Sequence, residues 1–135
     1  MAGYPVGALK EAHRASSSTL MKSEEAQMQL QEGTFQYRTT TKGIDAYRIA
    51  IELINREVDG MDDHPSQCAY TNDALSDALK AIASANVRVE KILPKFAPGT
   101  PQHTLAVRRI RAFDIATELI GIEMAGQRQE GESLL

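Results

Sequence analysis

Among 135 residues there is a single cysteine, Cys68, and no tryptophan. One thiol excludes an internal disulfide framework and any zinc site built from several cysteines. Neither the 9 glycines nor the 5 prolines are in excess, which sets aside collagen-like and low-complexity chains. No apolar run approaches the roughly 18 residues of a membrane span, and no basic-then-apolar leader opens the chain. A cytoplasmic protein without membrane contact is therefore expected. Charge of neither sign dominates: 15 basic residues face 18 acidic ones, for a net charge of −3. That balance lacks the electrostatic footprint of a general nucleic-acid binder. With 42% hydrophobic and 24% charged residues, the chain can bury the core of one modest domain.

What the chain does have is self-similarity. A shift of 66 residues lays 8–57 over 74–123 without a gap and gives 17 identities in 50 positions. The pairs include Leu9/Leu75, Glu24/Glu90, Gly33/Gly99, Thr34/Thr100, Gln36/Gln102, Ile49/Ile115, Glu52/Glu118 and Ile54/Ile120, with Lys22/Arg88 and Tyr47/Phe113 as conservative partners. The pattern reads as a tandem duplication.

Each copy reads as a helical hairpin. The first helix is expected over about 6–31, with the weak helix formers Ser16–Thr19 softening it. Gly33 supplies a left-handed stop and Thr34 caps the next helix; Gly99 and Thr100 repeat this, with Pro101 at the first helical position. Pro94 is expected to end or kink the third helix. The second and fourth helices, about 35–58 and 101–125, carry wide apolar arcs. Thr39–Thr41 and Gly43 weaken the second, so its start is open to slipping to about 41. Arcs this wide predict that these two helices touch each other as well as their hairpin partners.

The expected fold is all-α: a four-helix bundle built from two tandem-duplicated hairpins with approximate internal two-fold symmetry. It forms one domain over 1–135. The first hairpin spans about 6–58, a connector 59–72, the second hairpin about 73–125, and a frayed tail 126–135. Segments 8–57 carry equal numbers of acidic and basic residues and 74–123 a surplus of two basic ones, so the acidity lies in the connector.

The candidates for chemistry are few. Bundles that hold di-iron centres use Glu-x-x-His pairs, which this chain lacks. Glu24, Glu90, His13 and His103 would form a ligand or metal site only if they pointed inward, and they read better as solvated or salt-bridged groups. Asp62, Asp63, His64 and Cys68 are the densest set of metal-ligand types, yet their spacing matches no defined site and fits turn chemistry. Cys68 shows no activating neighbourhood. Gln36 and Gln102 either grip a ligand across the pseudo-two-fold or, as favoured here, complete the helix starts. Arg108, Arg109 and Arg111 form the only basic cluster and are the candidate partner-binding residues. No phosphate loop, nucleophile elbow or His-Glu-x-x-His is present, and no cofactor is indicated.

The expectation is thus a non-enzymatic protein acting by protein–protein contact, with itself or with a partner. A homodimer, including one formed by hairpin exchange, stays open, and nucleic acid is disfavoured. The alternative is a ligand- or metal-binding bundle with its site between the hairpins.

Overall fold

A computed structural model describes residues 4–59 and 70–133. Four helices follow one another: α1 (Val6–Met28), α2 (Phe35–Asp59), α3 (Asn72–Ile92) and α4 (Pro101–Ser133), with a short 3-10 turn at Leu93–Lys95. They form a four-helix bundle. α1 and α3 each pack against both α2 and α4, α2 and α4 also meet across the diagonal, and α1 and α3 do not touch. No helix among the described residues is long and apolar enough to cross a membrane.

The diagonal contact explains why α2 and α4 carry wide apolar arcs: each meets three other helices. Their alanines Ala46, Ala50, Ala112 and Ala116 are buried almost completely, and such small side chains let two backbones approach closely. On the same diagonal the rings of Tyr47 and Phe113 stack, with centroids 6.1 Å apart and planes 19° off parallel. The same core holds Ile54, Leu75, Ile82 and Ile120, the largest fully buried side chains, each worth about 1.5–3 kcal/mol on leaving water. Along the described parts of α2 and α4 no continuous apolar strip is left exposed. Among the described residues the large exposed apolar ones are Val6, Met21, Met28, Phe35, Val87, Ile92 and Ile122, of which Phe35 and Ile122 lie on α2 and α4. The bundle itself uses up the arcs.

The two hairpin turns are built alike. Gly33 and Gly99 take φ of +86° and +87°, the left-handed conformation that a side chain disfavours. Thr34 Oγ1 donates to the Gln31 carbonyl at 2.8 Å and accepts from the Tyr37 N–H at 3.2 Å. Thr100 Oγ1 does the same with the Ala97 carbonyl (2.7 Å) and the His103 N–H (3.3 Å). The equivalence extends to the other end of the bundle. Tyr4 donates to Glu118 and Tyr70 donates to Glu52, and these two bonds interchange under the same 66-residue shift. They tie the start of each hairpin to the late part of the other hairpin's second helix, so both turns lie at the opposite end.

Several element boundaries differ from expectation. α1 stops at Met28 rather than 31, because Gln29 and Leu30 already donate to Ala26 and Gln27 in tighter turns. The Ser16–Thr19 run does not break it, and Thr19 Oγ1 bonds back to the Ala15 carbonyl at 2.9 Å. α2 starts at Phe35 and not at 41. Its weak first turns are held by the Thr34 cap, by Thr41 donating to the Tyr37 carbonyl at 2.9 Å, and by Gln27 of α1 donating to Thr41 at 2.7 Å. α3 ends at Ile92, with Pro94 in the following 3-10 turn. The stretch expected to fray after 125 is helical to Ser133. It holds glycine but no proline, and its Gln, Arg and Glu residues are good helix formers.

The Tyr4 hydroxyl is a titratable part of this frame. Its hydrogen bond to the Glu118 carboxylate, then burial, raises its pKa from 10.0 to about 12. A folded-state pKa raised above the unfolded one adds stability that is complete below pH 10 and lost as the pH rises through about 12. Tyr4→Phe is therefore expected to cost a few tenths to about 1 kcal/mol near neutral pH, since the bond lies near the surface. Urea melts of both chains should show that cost shrinking between about pH 10 and 12; a constant gap would contradict the bond.

Candidate functional site: a one-sided cationic cleft

On α1, Thr19, Lys22, Ser23 and Ala26 fall at helical spacing and share one face. On α2, Phe35, Gln36, Thr39, Thr40, Gly43 and Tyr47 do the same. Between these faces, near the hairpin turns, lies an open cleft of about 380 Å³ that Arg88 of α3 and Arg109 of α4 also line. All four helices contribute, so the cleft lies between the hairpins.

Its charge is of one sign. Lys22, Arg88 and Arg109 line it, and no carboxylate does. The ion pairs among the described residues are Arg48–Glu24 (3.0 Å), Arg56–Glu52 (3.6 Å) and Arg56–Glu123 (3.5 Å); none engages the three cleft cations. Arg109 Nε is also buried and without a hydrogen-bond partner. Leaving such a donor unsatisfied costs about 1–3 kcal/mol, or more on a charged group. Tyr47, at the cleft floor, feels both environments: burial pushes its phenol pKa up, while the positive charges of Arg88 and Arg109 pull the other way.

The 66-residue shift shows how local this chemistry is. Thr19, Ser23, Thr39 and Thr40 correspond to Ala85, Val89, Leu105 and Ala106, and Tyr47 corresponds to Phe113. Ala85 and Ala106 are buried. Hydroxyls on one side of the bundle are thus replaced by aliphatic groups on the other. Lys22 and Arg88 correspond under this shift, as do Gly43 and Arg109, so the cleft draws on both hairpins while its hydroxyl-bearing walls belong to the first. At Gly43 the missing side chain leaves room above the Tyr47 ring: a Cβ there would meet that ring no closer than 3.6 Å.

The residues singled out from sequence are dispersed. Arg109 enters the cleft, whereas Arg108 and Arg111 line a separate groove of about 280 Å³ with Tyr4 and Glu11. The arginine cluster is therefore not one patch, because successive helical residues point about 100° apart. Glu24 pairs with Arg48 at the surface, and Glu90 is exposed on α3, which does not touch α1. His13 lines a groove of about 760 Å³ between α1 and α2 with Lys10, Arg14, Lys22, Glu25 and Asn55, and His103 sits in the first turn of α4. These four are not brought together, and no group of three or more His, Cys, Asp or Glu able to hold a metal occurs among the described residues. Asp62, Asp63, His64 and Cys68 lie outside the described residues. Gln36 is in the cleft wall, while Gln102 is exposed at the start of α4. Sequence reasoning passed over Lys22, Arg88, Thr39 and Thr40. The signal available was the contrast between copies, with hydroxyls at positions where the second copy is aliphatic.

The chain matches no protein-family model, no curated protein and no solved structure in the three comparisons made.

Gly43 and Gly99 separate a site role from a turn role. Gly43 is helical with room for a methyl group, so Gly43→Ala should stabilise the fold by about 0.5–1 kcal/mol. Gly99→Ala, at φ +87°, should destabilise it by about 1–2 kcal/mol. Thermal melts showing shifts of the same sign would contradict this division.

Proposed function

We propose that this chain is a non-catalytic binding protein that holds an anion in the cleft between its two hairpins. One observation carries the reading: Lys22, Arg88 and Arg109 converge on that cleft with no carboxylate among its lining residues, and Arg109 Nε is left without an acceptor. Lys22 and Arg88 stand exposed at the cleft and Arg109 is half-buried; an anion placed among them is drawn by all three charges and supplies the missing acceptor. The cleft offers hydroxyls, an amide and cations, and no imidazole, thiol or carboxylate, which favours holding over turnover. The two hairpins are read as copies of one ancestral hairpin that paired with itself, and the single cysteine fits a cytoplasmic setting.

Calorimetric titration with pyrophosphate at low salt tests the proposal. Binding is expected that weakens at least tenfold in Arg88→Ala and in Arg109→Gln, and that falls as salt is raised. Full affinity in both variants, or no heat with the unaltered chain, would refute it.

A second reading, contact with another protein or a second copy, has its own support. Met28 (85% exposed), Phe35 (74%) and Ile92 (41%) gather at the end of the bundle that carries the turns. Exposed apolar residues grouped at one end are a usual mark of a partner surface. The groove of Arg108 and Arg111 is a further candidate contact. Sedimentation velocity checks self-association directly: a concentration-dependent dimer that Met28→Lys abolishes is the expected result, and one species at the chain mass of 14.8 kDa would remove the self-contact form.

A further inference from the structure

Resting on the anion-binding reading, we infer that the ligand is a nucleoside phosphate, its phosphates held by Lys22, Arg88 and Arg109 and its base laid on the face of Phe35. The first argument is size. A cleft of about 380 Å³ lies within the range of pockets for whole small molecules, roughly 300–1,000 Å³, and an inorganic anion would leave most of it unused. The bound molecule therefore carries an organic part.

The second argument is the charge. Two guanidinium groups and one ammonium exceed what a single carboxylate can neutralise. Guanidinium groups present paired N–H donors that match phosphate oxygens, and an ammonium adds a point charge. A monophosphate or diphosphate satisfies such a set.

The third argument is Phe35. It is the first residue of α2, it lines the cleft, and it is 74% exposed. Its counterpart in the second copy is Pro101, so the hairpin turn itself has no need of an aromatic ring there. A flat apolar face on the rim of a cationic cleft is the arrangement by which proteins stack a base whose phosphate they hold. Gln36, beside it, supplies both a donor and an acceptor for a base edge, and the Thr39 and Thr40 hydroxyls suit a sugar.

The test titrates the full chain with four probes by calorimetry: adenosine diphosphate, ribose phosphate, pyrophosphate and a short single-stranded oligonucleotide. Adenosine diphosphate is expected to bind at least tenfold more tightly than pyrophosphate or ribose phosphate. Phe35→Ala should remove about tenfold of that advantage while leaving pyrophosphate affinity unchanged. Because Phe35 is exposed, that variant should melt with the unaltered chain, and circular dichroism verifies it. Equal affinity for adenosine diphosphate and pyrophosphate, unmoved by Phe35→Ala, would overturn this inference and leave the anion reading standing. Failure of every probe would sink both. An oligonucleotide preferred over the free nucleotide would overturn the small-molecule inference in favour of single-stranded nucleic acid.

Discussion

The diagonal contact between α2 and α4 is the constraint on which the rest of the bundle depends. Two helices that touch across a four-helix bundle must be narrow where they meet, and the buried Ala46, Ala50, Ala112 and Ala116 make them so. Bringing these helices together pushes α1 and α3 to opposite flanks, out of contact with each other. Tyr47 belongs to both levels: its ring stacks on Phe113 in the core, and the same side chain lines the cleft. Core and cleft are two levels of one contact.

Comparing the hairpins position by position separates architecture from site. Where counterparts agree, they serve the fold: the glycine–threonine turns, the Tyr4–Glu118 and Tyr70–Glu52 bonds, and the aliphatic pairs Leu9/Leu75 and Ile54/Ile120. Among the positions where they disagree in kind, Thr19, Ser23, Thr39, Thr40 and Gly43 line the cleft. Ser16 is buried where the second copy buries Ile82, and Thr19 stands where it buries Ala85. The first hairpin accordingly gives up apolar burial, at about 25 cal/mol per Å² lost, along the helix that walls the cleft.

Much of the fold was legible because its signals are local. Left-handed glycines, capping threonines and a 3.6-residue apolar period act within a few residues of themselves, and all of them recur at a spacing of 66. The end of α4 was misread because glycine near a helix end is an ambiguous stop: Gly126 and Gly131 are tolerated where no proline follows. The site was far less legible. Lys22, Arg88 and Arg109 are distant in sequence and ordinary one by one, and only the packing of all four helices sets them around one space. Arg109 was noticed for the wrong neighbours, since Arg108 and Arg111 point toward Glu11 and away from the cleft.

Gly43 shows how closely fold and site are balanced. Within a helix its lack of a side chain is a liability of up to about 1 kcal/mol. Its counterpart under the 66-residue shift, Arg109, lines the same cleft. One of each yields both the space and the charge. The two hairpins thus differ here in a way that bears on the cleft: the Gly43 side leaves space above the Tyr47 ring, the Arg109 side brings a guanidinium, and the hydroxyls of Thr19, Ser23, Thr39 and Thr40 line only the first hairpin's side.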